Sequence, residues 1–278
     1  MSPVVIALTL AAAVAHAIWN ALLRAGSDRL WSVTVMSFVS SAAALALALL
    51  LPFPAEASWP YLAASAILQV AYAIFLAYAY GYGELGQVYP FIRGSVPILV
   101  TLGGFALAGQ RLSGPAVIGI ALVCLGIAGL GLGRSRAHGR TILLALATAL
   151  FVAMYVTIDG LGVRRAGNAQ SYVAWIFLVY GALLPLAYLV LRRGTSLDLP
   201  APETLKAVVA GAVSILSYGA FVTALSRGKL GPVSALRETS VVFSVFIGRL
   251  LLGETLTRRR LLACLAVASG AACIGYAP

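Results

Sequence analysis

The chain has 278 residues, 62% hydrophobic and 10% charged, with a mean hydropathy of +1.00; a water-soluble domain of this size does not tolerate such a composition, so its solvent is largely lipid. A bilayer core about 30 Å thick takes roughly 20 apolar residues per helix, and ten spans with short connections use up nearly all of the chain, which leaves no room for a soluble domain. The formal charge of +11 sits in arginine clusters between apolar runs, a topology signal rather than a nucleic-acid surface, and no nucleic-acid partner is expected.

In chain order the apolar runs predict membrane-spanning helices near 3–23, 31–51, 60–80, 86–108 and 114–133. A second set follows near 141–161, 171–191, 205–226, 230–252 and 260–276. The fold class expected is all-α integral membrane, ten transmembrane helices in a compact bundle. The opening stretch MSPVVIALTLAAAVAHAIWNALLRAG lacks a basic leader and runs straight into His16, Trp19 and Asn20, so it is expected to stay as the first span.

On that span His16, Trp19 and Asn20 recur at i, i+3 and i+4, one helical face and a trio ill suited to lipid. They are candidates for lining a cavity, with His16 also able to carry a proton. The third span places Tyr72, Phe75, Tyr78 and Tyr82 on one face. Such a stripe serves packing, an interfacial belt or substrate contact, and Tyr78 is the candidate for the last. On the fourth span Tyr89, Arg93 and Pro97 recur at i, i+4 and i+8, while Pro90 and Pro97 interrupt backbone hydrogen bonding, as suits the wall of a cavity.

The fifth span ends in GIAGLGLG, matched by SGAACIGY on the tenth. These are small-residue faces for close helix packing or dimer contact, and the oligomer expected is a monomer or weak homodimer. Tyr155 on the sixth span and Tyr218 on the eighth extend the aromatic wall into the second half. Asp159, in TIDGLGVRR, is expected to pair with Arg164 or Arg165 at the surface.

The ninth span carries Arg237 and Glu238, with Ser234, Arg237 and Ser240 or Ser244 as a polar strip. Adjacent residues on a helix point about 100° apart, so Arg237 and Glu238 are expected to face different ways, one toward the cavity and one into the bundle. Arg249 is expected to snorkel to the interface and is left out of the site. Cys124, Cys264 and Cys273 fall in apolar segments without pairing or metal spacing and read as packing residues; no metal and no cofactor is expected.

The two halves repeat each other. One constant offset between YPFIRGSVPILVTLGGFALAGQRLSGP and VSALRETSVVFSVFIGRLLLGETLTRR sets Arg93 on Arg237, Gly109 on Gly253, Gln110 on Glu254, Leu112 on Leu256 and Ser113 on Thr257. TLAAAVAHAIW against LALATALFVAMY sets Trp19 on Tyr155. Since five spans per copy is an odd number, the second copy enters the membrane from the opposite side, and inverted repeats are the architecture of alternating-access carriers. The organisation expected is a first repeat over 1–133, a basic linker over 134–140 and a second repeat over 141–278.

One parity of connections carries Arg24, Arg29, Arg134, Arg136, Arg140, Arg192, Arg193, Lys206, Arg258, Arg259 and Arg260; the other has Arg111, Arg164, Arg165, Arg227 and Lys229. By that bias the linker is cytoplasmic and both termini face outward, in a bacterial-type inner membrane.

An ionisable group at bilayer depth costs several kcal/mol unless it faces a partner or a polar cavity. Arg93 and Arg237, at equivalent positions of the repeats, should lie near the pseudo-axis where such carriers place substrate. A carboxylate held there by charge-assisted hydrogen bonds and covered by Tyr and Trp faces describes a small zwitterionic or anionic metabolite. An intramembrane enzyme would need a nucleophile with its base, a metal cluster or paired carboxylates, and no such set stands out, so no catalytic residue is assigned. A membrane receptor or scaffold without transport is the other reading.

Ten spans together with HAIWNALLRAG, the Arg four residues before Pro in YPFIRGSVP, and the paired exits AGQRLSGP and LGETLTRR make the chain resemble the EamA family of the drug/metabolite transporter superfamily. The resemblance implies a ten-helix inverted-repeat carrier with helices one, three, four, six, eight and nine around a central cavity and five and ten outside. It also implies export of amino acids or related metabolites, with Trp19, Asn20, Tyr89, Arg93, Tyr155 and Arg237 at family positions. The second copy departs from the first, with Val241 where Pro97 would recur and Val156 where Asn20 would.

Overall fold

The structure, a computed structural model, describes residues 1–24, 29–82, 85–131, 139–192, 202–252 and 256–277. Lipid offers backbone groups no hydrogen-bond partner, so a chain this apolar must close its bonds within helices. The described residues form α1 (Pro3–Arg24), α2 (Arg29–Leu50), α3 (Trp59–Tyr82), α4 (Leu85–Ala108), α5 (Gly114–Gly131) and α6 (Gly139–Gly162). They continue with α7 (Ala169–Arg192), α8 (Pro202–Arg227), α9 (Leu230–Arg237), α10 (Ser240–Leu252) and α11 (Arg258–Tyr276). Among them, eight spans are long and apolar enough to cross a membrane, and Gly114–Leu130 and Ala169–Leu183 are shorter apolar helices.

These eleven helices make ten passes, because α9 and α10 together are the span expected as one helix over 230–252. The break falls at Glu238 and Thr239. There the amides of Glu238 and Thr239 donate to the carbonyls of Ala235 and Leu236, three residues back, and those of Val241 and Val242 donate to Glu238 and Thr239. Three-residue closure tightens the turn, and the Thr239 hydroxyl donates to the Leu236 carbonyl at 2.8 Å, a side-chain bond that competes with the helical ladder.

The protein is an all-α membrane bundle of two inverted five-helix repeats, and its packing follows that symmetry. Matching α1, α2, α3, α4 and α5 with α6, α7, α8, α9 with α10, and α11, the contact of α1 with α8 is mirrored by that of α3 with α6, while α2 with α7, α4 with α9 and α5 with α11 are self-matched. The polarity of the surface is inverted relative to a water-soluble protein: Leu49, Leu125, Leu143, Leu216 and Leu250 stand exposed on helix faces, as lipid allows. The small residues of α5 and α11 pack on each other within the chain. A Cβ on Gly119 would come within 2.7 Å of the Gly270 carbonyl, and one on Gly270 within 2.6 Å of the Gly119 carbonyl.

One mark of the duplication has a local cause. Gly109 ends α4 at φ +60, with its amide bonded to the Phe105 carbonyl and that of Gln110 to Gly104, a left-handed cap that favours glycine. The Gln110 side chain then accepts the Leu230 amide at 2.9 Å and so supplies one of the partners that the start of α9 lacks. The matching Gly253 and Glu254 lie outside the described residues.

Candidate functional site

The helices enclose a central cavity of about 130 Å³, close in size to an engineered cavity of roughly 150 Å³ that accepts benzene. Its walls come from α1 (His16, Trp19), α3 (Gln69, Tyr72, Leu76), α4 (Ile92, Arg93, Val96), α6 (Val152, Tyr155), α8 (Ser214, Ser217, Tyr218) and α9 (Arg237). Met36 of α2 and Phe177 and Tyr180 of α7 complete it, so two helices beyond those the family resemblance implied take part.

Both arginines converge on His16. Arg93 meets its Nε2 with one guanidinium nitrogen, and Arg237 Nη2 lies 3.2 Å from its Nδ1. A guanidinium only donates, and a neutral imidazole accepts at one nitrogen alone, so His16 can satisfy one of the two. Arg93 also donates to Glu238 Oε1 at 3.1 Å, an ion pair whose side chains are 11% and 2% exposed. Arg237 has no carboxylate bonded to it among the described residues. Its guanidinium carbon lies 4.3 Å from the Phe221 ring centre and 5.9 Å from that of Tyr218. Its Nε, the second oxygen of Glu238 and the Ser240 hydroxyl are buried without a hydrogen-bond partner among the described residues.

Arg237 and Glu238 therefore turn toward the same cluster, against the expectation drawn from helical geometry. The 100° rule holds within a helix, and the break at Glu238 and Thr239 removes its premise. Asp159 also differs from its expected place. It has no exposed surface, since α6 continues to Gly162 and carries it one turn inside. Tyr172 donates to its Oδ1 at 2.9 Å, Tyr218 donates to its Oδ2, and Ser65 lies alongside. Arg164 and Arg165 turn instead to backbone carbonyls, Arg164 to Leu225 and Gly228 and Arg165 to Leu161.

The remaining candidates divide. Trp19 packs its ring edge to face with His16 at 4.8 Å. Asn20 donates to the His16 carbonyl of its own helix at 2.8 Å, which holds the turn beneath the cavity residue. Tyr155 faces Tyr72 at 5.9 Å across the cavity wall. Phe75 of the aromatic stripe packs on Phe151, whereas the side chains of Tyr78, Tyr82 and Tyr89 lie outside the described residues. Ser234 is buried in α9, and Arg249 is exposed in the last turn of α10. Cys124 and Cys264 are buried with free thiols. Among the described residues, no three His, Cys, Asp or Glu side chains gather as a metal site would require.

Sequence reasoning missed Gln69, Ser214, Ser217, Tyr180 and Phe221. Ser214, Ser217 and Tyr218 sit at i, i+3 and i+4 in α8, a polar face as regular as the one noticed on the first span. Part of that face is structural: Ser217 donates to the Ala12 carbonyl at 2.8 Å and Ser214 pairs with Ser40 at 3.0 Å. Phe221 and Tyr180 carry no signal in an apolar segment, because only packing shows which aromatic ring meets a cation.

Residues 139–276 match the model of the EamA-like transporter family. No curated protein matches the chain in sequence. Twenty-nine solved chains match it in structure, and one of them, a crystal structure of another protein, superposes with a TM-score of 0.77 over 96% of both chains at 21% identity, a likeness of fold.

Proposed function

The chain belongs to the EamA family of the drug/metabolite transporter superfamily, a family of multi-pass membrane transporters, and from that membership we propose that it moves a small carboxylate-bearing metabolite, an amino acid or a close relative, by alternating access. The observation that carries this reading is the convergence of Arg93 and Arg237 on His16 in a cavity at the middle of the bundle. Two guanidinium groups meet there with one carboxylate and one imidazole, and a substrate carboxylate supplies the acceptors the cluster lacks. The open oxygen of Glu238 suits the ammonium of a zwitterion. Trp19, Tyr155 and Tyr218 cover the apolar part, and His16, Asn20, Tyr78 and Tyr89 complete the proposed substrate site.

In this reading 1–133 and 141–278 are the two repeats, joined by the basic stretch 134–140, and they rock about the site in turn. Helix ends and breaks at a midplane site are a recurrent device of such carriers, and the α9–α10 break, which brings Arg237 and Glu238 to the same arginine–histidine cluster, supports this reading. The charge bias places the linker in the cytoplasm of a bacterial-type inner membrane, with both termini outside and export as the direction. The working unit is a monomer or weak homodimer.

Arg237→Gln tests the site without breaking an ion pair. In proteoliposomes given a panel of labelled amino acids and small carboxylates, the wild type should carry at least one member, and the variant should carry it at least about tenfold more slowly, as expected for a lost charge-assisted contact worth about 1.5–3 kcal/mol. Flux through a folded Arg237→Gln protein equal to wild type overturns the assignment.

A further inference from the structure

Asp159 has no place in the site just described, and yet it is the most deeply buried carboxylate among the described residues, with no exposed surface. No cation bonds it among them, and its partners are hydroxyls: Tyr172 of α7 on one oxygen and Tyr218 of α8 on the other, with Ser65 of α3 alongside. An amide or hydroxyl would tie these helices together at far less desolvation cost, so a carboxylate at this depth needs a further reason.

Tyr218 supplies the reason, because it has two neighbours of opposite charge. Its hydroxyl donates to Asp159, while its ring lines the cavity and faces the Arg237 guanidinium at 5.9 Å. A phenol that donates to a carboxylate gains electron density, and hydrogen bonds in a low-dielectric interior polarise one another. The ring face turned to Arg237 is then more negative, which strengthens its hold on the cation. The edge-on contact of Phe177 with Tyr218, at 85° and 5.8 Å, keeps the ring in that attitude. Arg93, by contrast, is neutralised by direct bonding to Glu238.

We propose that Asp159 is the remote counter-charge of Arg237, a positioning residue that acts through Tyr218 to set how tightly the site holds a substrate carboxylate. Compensation at a distance leaves the Arg237 donors open to substrate, which a direct ion pair would not. It also limits the positive potential of the site, so that a bound carboxylate can leave again. This role rests on the carboxylate reading of the arginine cluster.

The experiment compares binding of benzoate and of its neutral isostere benzamide to the full-length protein in detergent by titration calorimetry. The wild type should prefer benzoate, and Arg237→Gln should abolish the preference. Asp159→Asn keeps the shape of the side chain and removes its charge; it should raise the benzoate-to-benzamide preference about tenfold, a size within reach of one unit charge acting through an intermediate dielectric. Tyr218→Phe, which cuts the relay and keeps the ring, should shift the ratio the same way. Asp159→Glu should return it toward wild type, and Tyr172→Phe, which removes an equivalent hydrogen bond away from the cavity, should leave it alone.

If Arg237→Gln abolishes the preference while both Asp159→Asn and Tyr218→Phe leave the wild-type ratio, Asp159 is structural glue and the proposal fails alone. An equal shift from Tyr172→Phe overturns it as well, since the effect then follows loosened packing. If the wild type shows no preference, or Arg237→Gln keeps it, the carboxylate reading falls and this role with it. Because Tyr218→Phe retains nearly all the packing, a poorly folded Asp159→Asn does not remove the test.

Discussion

Arg93 and Arg237 occupy equivalent positions in the two halves of the sequence, and the molecule treats them differently. Arg93 stands on α4, a helix that continues through Pro90 and Pro97, and its charge is met directly by Glu238. Arg237 stands at the end of α9, where the second copy breaks with no proline at the break itself, and it lies over the rings of Phe221 and Tyr218 instead of against an acid. Duplication therefore preserved the cation and its aim at His16, while the means of compensating the charge diverged. A directly paired arginine is costly to disturb. One held over aromatic faces keeps its donors open to a ligand.

The largest expected effect breaks the comparison on the Arg93 side. Arg93→Gln leaves the buried Glu238 without its cation and should lower stability by about 3–5 kcal/mol, read as thermal unfolding in detergent. Adding Glu238→Gln to that variant should restore most of the loss, and a double variant no more stable than the single one would show that the ion pair is not what supports this region. Arg237→Gln, which removes no ion pair, should lose less stability than Arg93→Gln.

A smaller effect sharpens the Arg237 side. Phe221→Leu keeps an apolar filling and removes the ring beneath the guanidinium, at 4.3 Å. Loss of that ring leaves the Arg237 charge less compensated, so binding of a carboxylate such as benzoate should strengthen by about 0.5–2 kcal/mol, measured by calorimetry, with unchanged binding of its neutral analogue. An equal change for both ligands would point to altered packing rather than to a lost cation–π contact.

The smallest effect concerns the break itself. Thr239→Val preserves shape and removes the hydroxyl bond to the Leu236 carbonyl, at a cost of about 0.5–1.5 kcal/mol. Substrate affinity should fall alongside, because the turn that aims Arg237 and Glu238 at one cluster relaxes toward a straight helix. Full affinity in a destabilised Thr239→Val protein would mean that the two side chains keep their aim without that bond.

Much of this was legible in the residues, though not evenly. The hydrophobic runs located ten passes because lipid imposes a minimum apolar length on each. Arg93, Arg237, Glu238 and His16 stood out because ionisable groups are rare at that depth. Asp159 was read as a surface residue, since neighbouring arginines in sequence looked like partners; in space Tyr172 and Tyr218 reach it first. The helix break was unexpected because no proline, the usual cause of a kink, stands at Glu238 or Thr239, whereas Pro90 and Pro97 lie in α4, which stays continuous.

Composition and spacing by themselves determined the solvent, the number of passes and the inverted duplication, because each depends on runs and offsets along one dimension. Only the tertiary structure decided that two arginines, one on each half, share a single histidine, that Glu238 bonds Arg93 rather than its neighbour Arg237, and that Asp159 reaches the cavity through Tyr218. Those contacts join residues up to 221 positions apart, and which donor meets which acceptor across such separations is set by helix packing, on which no local pattern reports.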